Sequence, residues 1–251
     1  MTKKIPRSLE ERKNERPYFQ HADLPDPSPH YVVWLDVMGA QGAMRRSLPM
    51  STNFVMKLHI ACQRALPHHG PDLQLFPVID GVYITCPTLG PILHAVKEIM
   101  SGIALTFIFE KDQKFRFMVR GAIAYGPISK GTDLKSANSV FSVNPGYTDH
   151  IVLGPALSQA FQDEHRASPF GIYISESARM FAPTGSQPIQ GIHHKWWLIS
   201  NESKDNELCL HLKTAIHEWF NWAKNHSSSL MYDIRRMEEH RALFDEYFSD
   251  D

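Results

Sequence analysis

Two aspartates draw attention by where they fall. Asp36 closes the apolar run YVVWLDV (31–37) and is followed shortly by Gly39 and Gly42. Asp80 sits between two strand-like runs in LQLFPVIDGVYITCP (73–87), directly before Gly81. A strand buried on both faces does not end in an unpaired carboxylate. Either a cation meets Asp36 or the strand end opens to water. Two carboxylates brought close repel, and one moves its pKa upward unless a cation neutralises them. A pair of Mg²⁺ or Mn²⁺ ions does this with hard oxygen ligands. Two metals bridged by aspartates suit in-line attack at phosphorus. Met38, Gly39 and Ala40 come just before a helical pattern, so their backbone N–H groups can cradle phosphates. Gly39 permits close approach of a triphosphate, and Gly81 a tight turn. The plainer alternative is that Asp36 caps the next helix and Asp80 is an ordinary Asp-Gly turn residue.

The elements around these residues can be read from periodicity. YVVWLDV is short, β-branched and aromatic, which predicts a buried strand. From Met44 to Leu66 apolar residues recur at helical spacing (Phe54, Val55, Leu58, Ala61, Cys62, Ala65), predicting one amphipathic helix. Residues 73–87 predict a hairpin turning at Ile79-Asp80-Gly81. Thr88 is placed to cap a helix over 89–104. KFRFMVRGAIAYG (114–126) predicts a strand, followed by a polar loop over 127–149. A short strand HIVLG, a helix PALSQAFQDEH, a strand GIYIS and a helix ESARMF complete the pattern, and HHKWWLIS (193–200) is a further strand candidate. The order β-α-β-β-α-β predicts an α+β, ferredoxin-like fold: an antiparallel sheet with helices on one face. In a βαββ unit the first strand is central and the hairpin lies beside it. Asp36 and Asp80 then fall at the same end of adjacent strands. Residues 207–248 read as one long helix or two. Leu210, Leu212, Ala215, Trp219, Trp222 and Ala223 form an apolar stripe that packs on the core or on a partner subunit.

Composition narrows the class. The chain has 251 residues and a formal net charge of -1, enough for a sizeable core and without a global pull toward nucleic acid or anionic membrane. Residues 1–16 are charged and nearly free of large apolar groups, predicting a solvated tail; 24–30 (LPDPSPH) predicts an extended linker. Cys62, Cys86 and Cys209 form no CxxC pair, which suits a reducing cytoplasm and disfavours a zinc knuckle. No apolar h-region opens the sequence, so no signal peptide is expected. The longest apolar stretch, IALTFIF (103–109), falls short of the ~20 residues that span a bilayer. His-His pairs at 68–69 and 193–194 read as exposed loop histidines. No Gly-x-Ser-x-Gly elbow, P-loop or Rossmann fingerprint occurs, which disfavours those chemistries.

The motifs LDVMGA, VIDGVYI, VRGAIAYG and LGPALSQAFQDE together resemble the catalytic domain of class III nucleotidyl cyclases over about residues 31–182. The first two resemble that family's two metal motifs. In detail the third and fourth look closest to the pyrimidine cyclases of bacterial anti-phage Pycsar systems. The resemblance implies a three-part chain: a flexible tail and linker (1–30), a catalytic domain (31–182) and a C-terminal helical extension (183–251). It implies that Asp36, Asp80 and the Val37 carbonyl hold two Mn²⁺ or Mg²⁺ ions. It implies that Met38, Gly39 and Ala40 bind phosphates, and that Phe76, Ser158 and Gln162 stand at nucleotide-binding positions. Ser158 and Gln162 fall where the family carries an Asn and a transition-state Arg. Because Gln carries no charge, Arg120, Lys130, Lys135 or Arg166 is left to supply the cation, and Arg120 is the catalytic candidate, with a structural ion pair as the alternative role for it. Phe76 and Ile151 occupy the two positions that read adenine in adenylate cyclases, and neither can do so. The resemblance therefore favours a pyrimidine nucleotide, UTP ahead of CTP, cyclised to cUMP as a defence signal for a downstream effector. It further implies a cytoplasmic homodimer that binds neither nucleic acid nor membrane. The rivals are another two-metal chemistry on the same scaffold, and a catalytically silent homologue acting as a nucleotide-binding regulatory module.

Overall fold

The structure is a computed structural model that describes residues 24–137, 139–198, 203–226, 230 and 234–249. The charged tail predicted over 1–16 lies outside the described residues. The chain divides into two units: Ser28–Ile128 with Gly154–Asp251, and a smaller one containing Ser129–Leu153.

The larger unit is built on strand β1 (Ser28–Val37). Its β-branched and aromatic residues favour pleated backbone. Tyr31, Val32, Val33 and Leu35 are fully buried, so both faces of β1 are covered. The strand starts at Ser28, inside the stretch expected to be a linker. The single helix predicted over Met44–Leu66 is two, α1 (Ala40–Arg46) and α2 (Leu48–Ala65). Pro49 is tolerated only in a first turn, and the Ser47 hydroxyl accepts the Met50 N–H at 3.4 Å to cap the second helix. Strands β2 (Gln74–Val78) and β3 (Gly81–Cys86) form the predicted hairpin, with Ile79 and Asp80 as its two-residue loop. Helix α3 (Leu89–Phe109) follows. Strand β4 (Val119–Lys130) begins later than the pattern suggested. Residues 113–115 turn as a short 3₁₀ helix, with the Asp112 carboxylate accepting the Lys114 N–H at 3.1 Å.

The sheet order is β2-β3-β1-β4, with antiparallel neighbours throughout. Strand β6 (Ile172–Ile174) runs parallel to β4 along Gly121–Ile123. This is the α+β, ferredoxin-like βαββαβ arrangement. One expectation needs correcting: helices cover both faces. Side chains alternate along a strand. Tyr31, Val33, Leu35 and Val37 join the main core with Leu58 of α2 and Ile92, Ile99 and Phe107 of α3. Trp34 points the other way, to Phe161 of α6 (Pro155–Asp163), with ring centroids 5.7 Å apart. A second correction concerns α3. At 21 residues it is long and apolar enough by composition to cross a membrane, unlike the seven-residue stretch noted in the sequence. Its Ile92, Ala95, Val96, Ile99 and Met100 are all fully buried in the core.

The end of the chain packs on the same core. Helix α7 (Glu176–Met180) is followed by an isolated bridge from His193 to Tyr173, where a strand had been a candidate. The Trp196 indole N–H donates to the Phe170 carbonyl at 2.8 Å. In α8 (Ser203–Asn225) the buried stripe runs through Leu212, Ala215, Ile216, Trp219 and Ala223, while Leu210 is 61% exposed. Helix α9 (Ile234–Tyr247) buries Met237, Phe244 and Tyr247.

The smaller unit, expected to be a loop up to residue 149 and then the short strand HIVLG, keeps that strand and has helices where the loop was expected. Helices α4 (Gly131–Ala137) and α5 (Pro145–Thr148) precede β5 (Val152–Leu153), which pairs with Ser129 and Lys130. Lys135 is engaged by Asp149 at 2.6 Å.

Candidate active site

The end of β1 lies between two antiparallel neighbours. Asp36 is in register with Gly81 of β3 on one side and Arg120 of β4 on the other. Cross-strand partners point to the same face, so Arg120 and Asp36 share the face of Trp34. Asp80 is held one step beyond, at the hairpin tip. Its backbone carbonyl accepts the Val37 N–H at 3.3 Å, tying the hairpin to the end of β1. Gly81 is required by packing, since a Cβ there would run into the Trp34 ring and the Leu35 carbonyl. After Val37 the chain turns through Gly39, at φ 77°, a left-handed conformation that glycine adopts without steric cost.

These residues open on one cavity of about 580 Å³, a size suited to a nucleotide. Asp36, Asp80 and Arg120 line it, as do Val37, Met38, Gly39 and Ala40. The two aspartates, 44 positions apart, therefore face one space. Burial first, and then the nearby Glu164 and Asp80 carboxylates, push Asp36 up to about 8 despite the opposing Arg120. Burial also raises Asp80. Burial thus penalises the ionised form of both carboxylates. Bringing a cation in would favour both ionised carboxylates.

Not every expected residue arrives. Phe76 is a core residue of β2, 5% exposed, and does not line the cavity. Ser158 and Gln162 lie exposed on α6, outside the lining. The reason is helical phase: Phe161 and Glu164, three apart, share the inward side, and Gln162 is turned about 100° away. Met38 reaches the cavity, but its N–H is already spent on the Met118 carbonyl at 2.9 Å. Arg120 is bound to Glu164 in a buried ion pair and donates to the His165 carbonyl at 3.3 Å. Arg166 stacks on Tyr173 and donates to its hydroxyl at 2.8 Å.

Eight lining residues were not among the site residues expected from the sequence: Trp34, Gln41, Gly42, Arg45, Phe161, Glu164, Arg236 and His240. Phe161 and Glu164 lie within LGPALSQAFQDE, and their spacing was a usable signal. Arg236 and His240 belong to the C-terminal α9, and nothing local marks them. Of the paired histidines only His68 is as exposed as expected. His69 is largely buried and, like His68, meets Glu98, at 3.4 and 3.1 Å. Burial pushes His194 down to about 4.

Among the described residues no three His, Cys, Asp or Glu side chains converge to enclose a metal. Mg²⁺ and Mn²⁺ do not need such a cage. Mg²⁺ is typically held by one or two carboxylates plus substrate phosphates and water. Asp36, Asp80 and the Val37 carbonyl, all oxygen donors, fit that description.

No protein-family profile and no curated protein matches the sequence. Solved structures with a similar chain trace include nucleotide cyclase domains. The guanylyl cyclase domain of the RhoGC fusion protein from Blastocladiella emersonii is 16% identical, with a TM-score of 0.44, covering 61% of this chain and 84% of that one. The guanylate cyclase domain of RhGC from Catenaria anguillulae, in complex with GTP, is 17% identical with a TM-score of 0.45, covering 61% and 81%. The adenylyl cyclase CyaB from P. aeruginosa is 13% identical with a TM-score of 0.40, covering 68% and 94%.

Proposed function

We propose that the chain is a nucleotidyl cyclase converting a nucleoside triphosphate to its 3′,5′-cyclic monophosphate and diphosphate. The observation that carries this is the pair Asp36 and Asp80, at the ends of adjacent strands and facing one open cavity. In the reaction, the ribose 3′-oxygen forms a bond to the α-phosphorus. The bond from that phosphorus to the bridging oxygen breaks, diphosphate departs with the electron pair, and the hydroxyl proton passes to water. Asp36 and Asp80, with the Val37 carbonyl, are the residues that would hold two divalent ions. Such ions, when bound, lower the pKa of the attacking hydroxyl and offset charge on the phosphates. The Gly39 turn leaves backbone room beside the carboxylates. Phe161, 57% exposed against the buried Trp34, offers a π-face to a base.

The favoured substrate is UTP, ahead of CTP, with cUMP as the product and homodimer formation completing the site. Support for this finer reading is the motif resemblance and the apolar residues at 76 and 151. An anti-phage signalling role rests on the same resemblance. A second reading, a silent nucleotide-binding homologue, is favoured by one observation: Arg120 is spent on Glu164, and Gln162 is turned away.

Incubating the protein with each of the four nucleoside triphosphates and Mn²⁺ decides between them. A cyclic pyrimidine product that disappears in Asp36→Ala supports the cyclase. A cyclic purine product retains the reaction and overturns the base choice. Nucleotide binding with no product supports the silent module.

A further inference from the structure

The cavity is not lined by the sheet end alone. Helix α9, more than fifty residues beyond the stretch that carries the motif resemblance, places Arg236 and His240 in its wall. The two are four positions apart and so lie on one side of the helix. The adjoining stripe seats the helix: Met237 and Phe244 are 4% and 0% exposed, and the Tyr247 hydroxyl donates to the His194 carbonyl. The position of Arg236 is therefore set by packing in the core.

Three guanidiniums line the cavity: Arg45, Arg120 and Arg236. Arg120 is neutralised by Glu164, and its Nη1 also meets the His240 Nε2 at 3.4 Å. Burial, aided by the positive field of Arg120 and Arg236, pushes His240 down to about 4. His240 is thus a neutral spacer between two arginines and no rival for an anion. Arg236 is exposed and forms no ion pair with a described carboxylate. Arg45, in the last turn of α1, is exposed as well and lines the same cavity. A guanidinium presents a planar fork that matches phosphate oxygens.

We propose that Arg236 grips the triphosphate of the substrate, so that the C-terminal helix α9 is part of the active site. The assignment rests on the nucleotide reading of the cavity, but not on the cyclisation step. It makes the domain boundary implied by the motif resemblance, residue 182, functionally incomplete.

The test is calorimetric titration of the full chain with inorganic tripolyphosphate in the presence of Ca²⁺, comparing wild type with Arg236→Ala and Arg236→Lys. Arg236→Ala should weaken tripolyphosphate binding roughly 10- to 100-fold, and Arg236→Lys should restore part of it. The thermal midpoint should be unchanged, because the side chain is exposed. In turnover with the preferred nucleotide, kcat/KM should fall in Arg236→Ala by a similar factor or more. Equal tripolyphosphate binding in wild type and Arg236→Ala overturns the proposal, as does a wild type that binds none. A rise in turnover on removing Arg236 overturns it too, since the helix would then be a plug. If binding depends on Arg236 but no nucleotide yields a cyclic product, the proposal stands and the cyclase reading falls.

Discussion

Asp36 and Arg120 are direct cross-strand partners on β1 and β4, yet the guanidinium is bound to Glu164. Arg120 therefore does not neutralise the carboxylate it sits beside. Asp36 is left with burial and two neighbouring carboxylates against it. A divalent cation bound between Asp36 and Asp80 would relieve this penalty.

Breaking the Arg120–Glu164 pair should be costly. Both side chains are largely buried, at 15% and 10% exposure. Removing one partner strands the other charge, a loss of about 3 kcal/mol or more. Glu164→Gln should lower the urea unfolding free energy by that order, and Arg120→Ala similarly. The double variant should cost less than the sum, because neither charge is then stranded.

Stability without metal should fall as pH rises. The Asp36 pKa is raised from the usual 3.8 to about 8. A raised carboxyl contributes stability that is complete below 3.8 and is lost as pH climbs through about 8. One pKa unit is worth about 1.4 kcal/mol, so half of the displacement amounts to about 3 kcal/mol. Asp36→Asn removes the ionisation. It should be more stable than wild type at pH 8 and similar to it near pH 4, measured by denaturant unfolding in EDTA. A variant with wild-type pH dependence would show that Asp36 is not the group responsible.

Divalent ions should reverse that order. Mn²⁺ binding the folded site stabilises it by mass action. Wild-type melting should rise by several degrees in millimolar Mn²⁺, and Asp36→Asn and Asp80→Asn should not respond. Catalytic turnover should fall at least 100-fold in either variant, giving proteins that are stable but inactive.

The hairpin that carries Asp80 is strained. Ile79 has φ 48°, an outlier for a β-branched residue, and it is 79% exposed. It occupies the first position of a two-residue hairpin loop, where glycine is favoured when φ is positive. Ile79→Gly should therefore stabilise the protein by about 1 kcal/mol. The side chain touches no core, so little packing is lost. Urea midpoints of the two proteins test this directly. Reduced turnover alongside the gain would show that the strain holds Asp80 in place.

The sequence by itself determined the strands, the hairpin and the nearness of the two acidic residues. These are local properties. Alternation and β-branching make a strand, and a two-residue loop fixes the register that follows. A central first strand in a βαββ unit brings Asp36 beside the Asp80 turn. Local signals also misled where a neighbour overruled them. Ser47 and Pro49 split one helical period into two helices, and Leu210 fits the α8 stripe by spacing but faces water.

Only the tertiary structure decided which charges remain available. An ion pair was one reading of Arg120 from the sequence, but its partner Glu164 lies 44 residues away and only the packing of α6 joins them. Helical phase, fixed by which side of α6 packs on β1, turned Phe161 inward and Gln162 outward. Arg236 reached the cavity because aromatic residues of α9 bury against the core and carry the arginine with them. Such placements depend on contacts remote in the chain, and no periodicity within a segment encodes them.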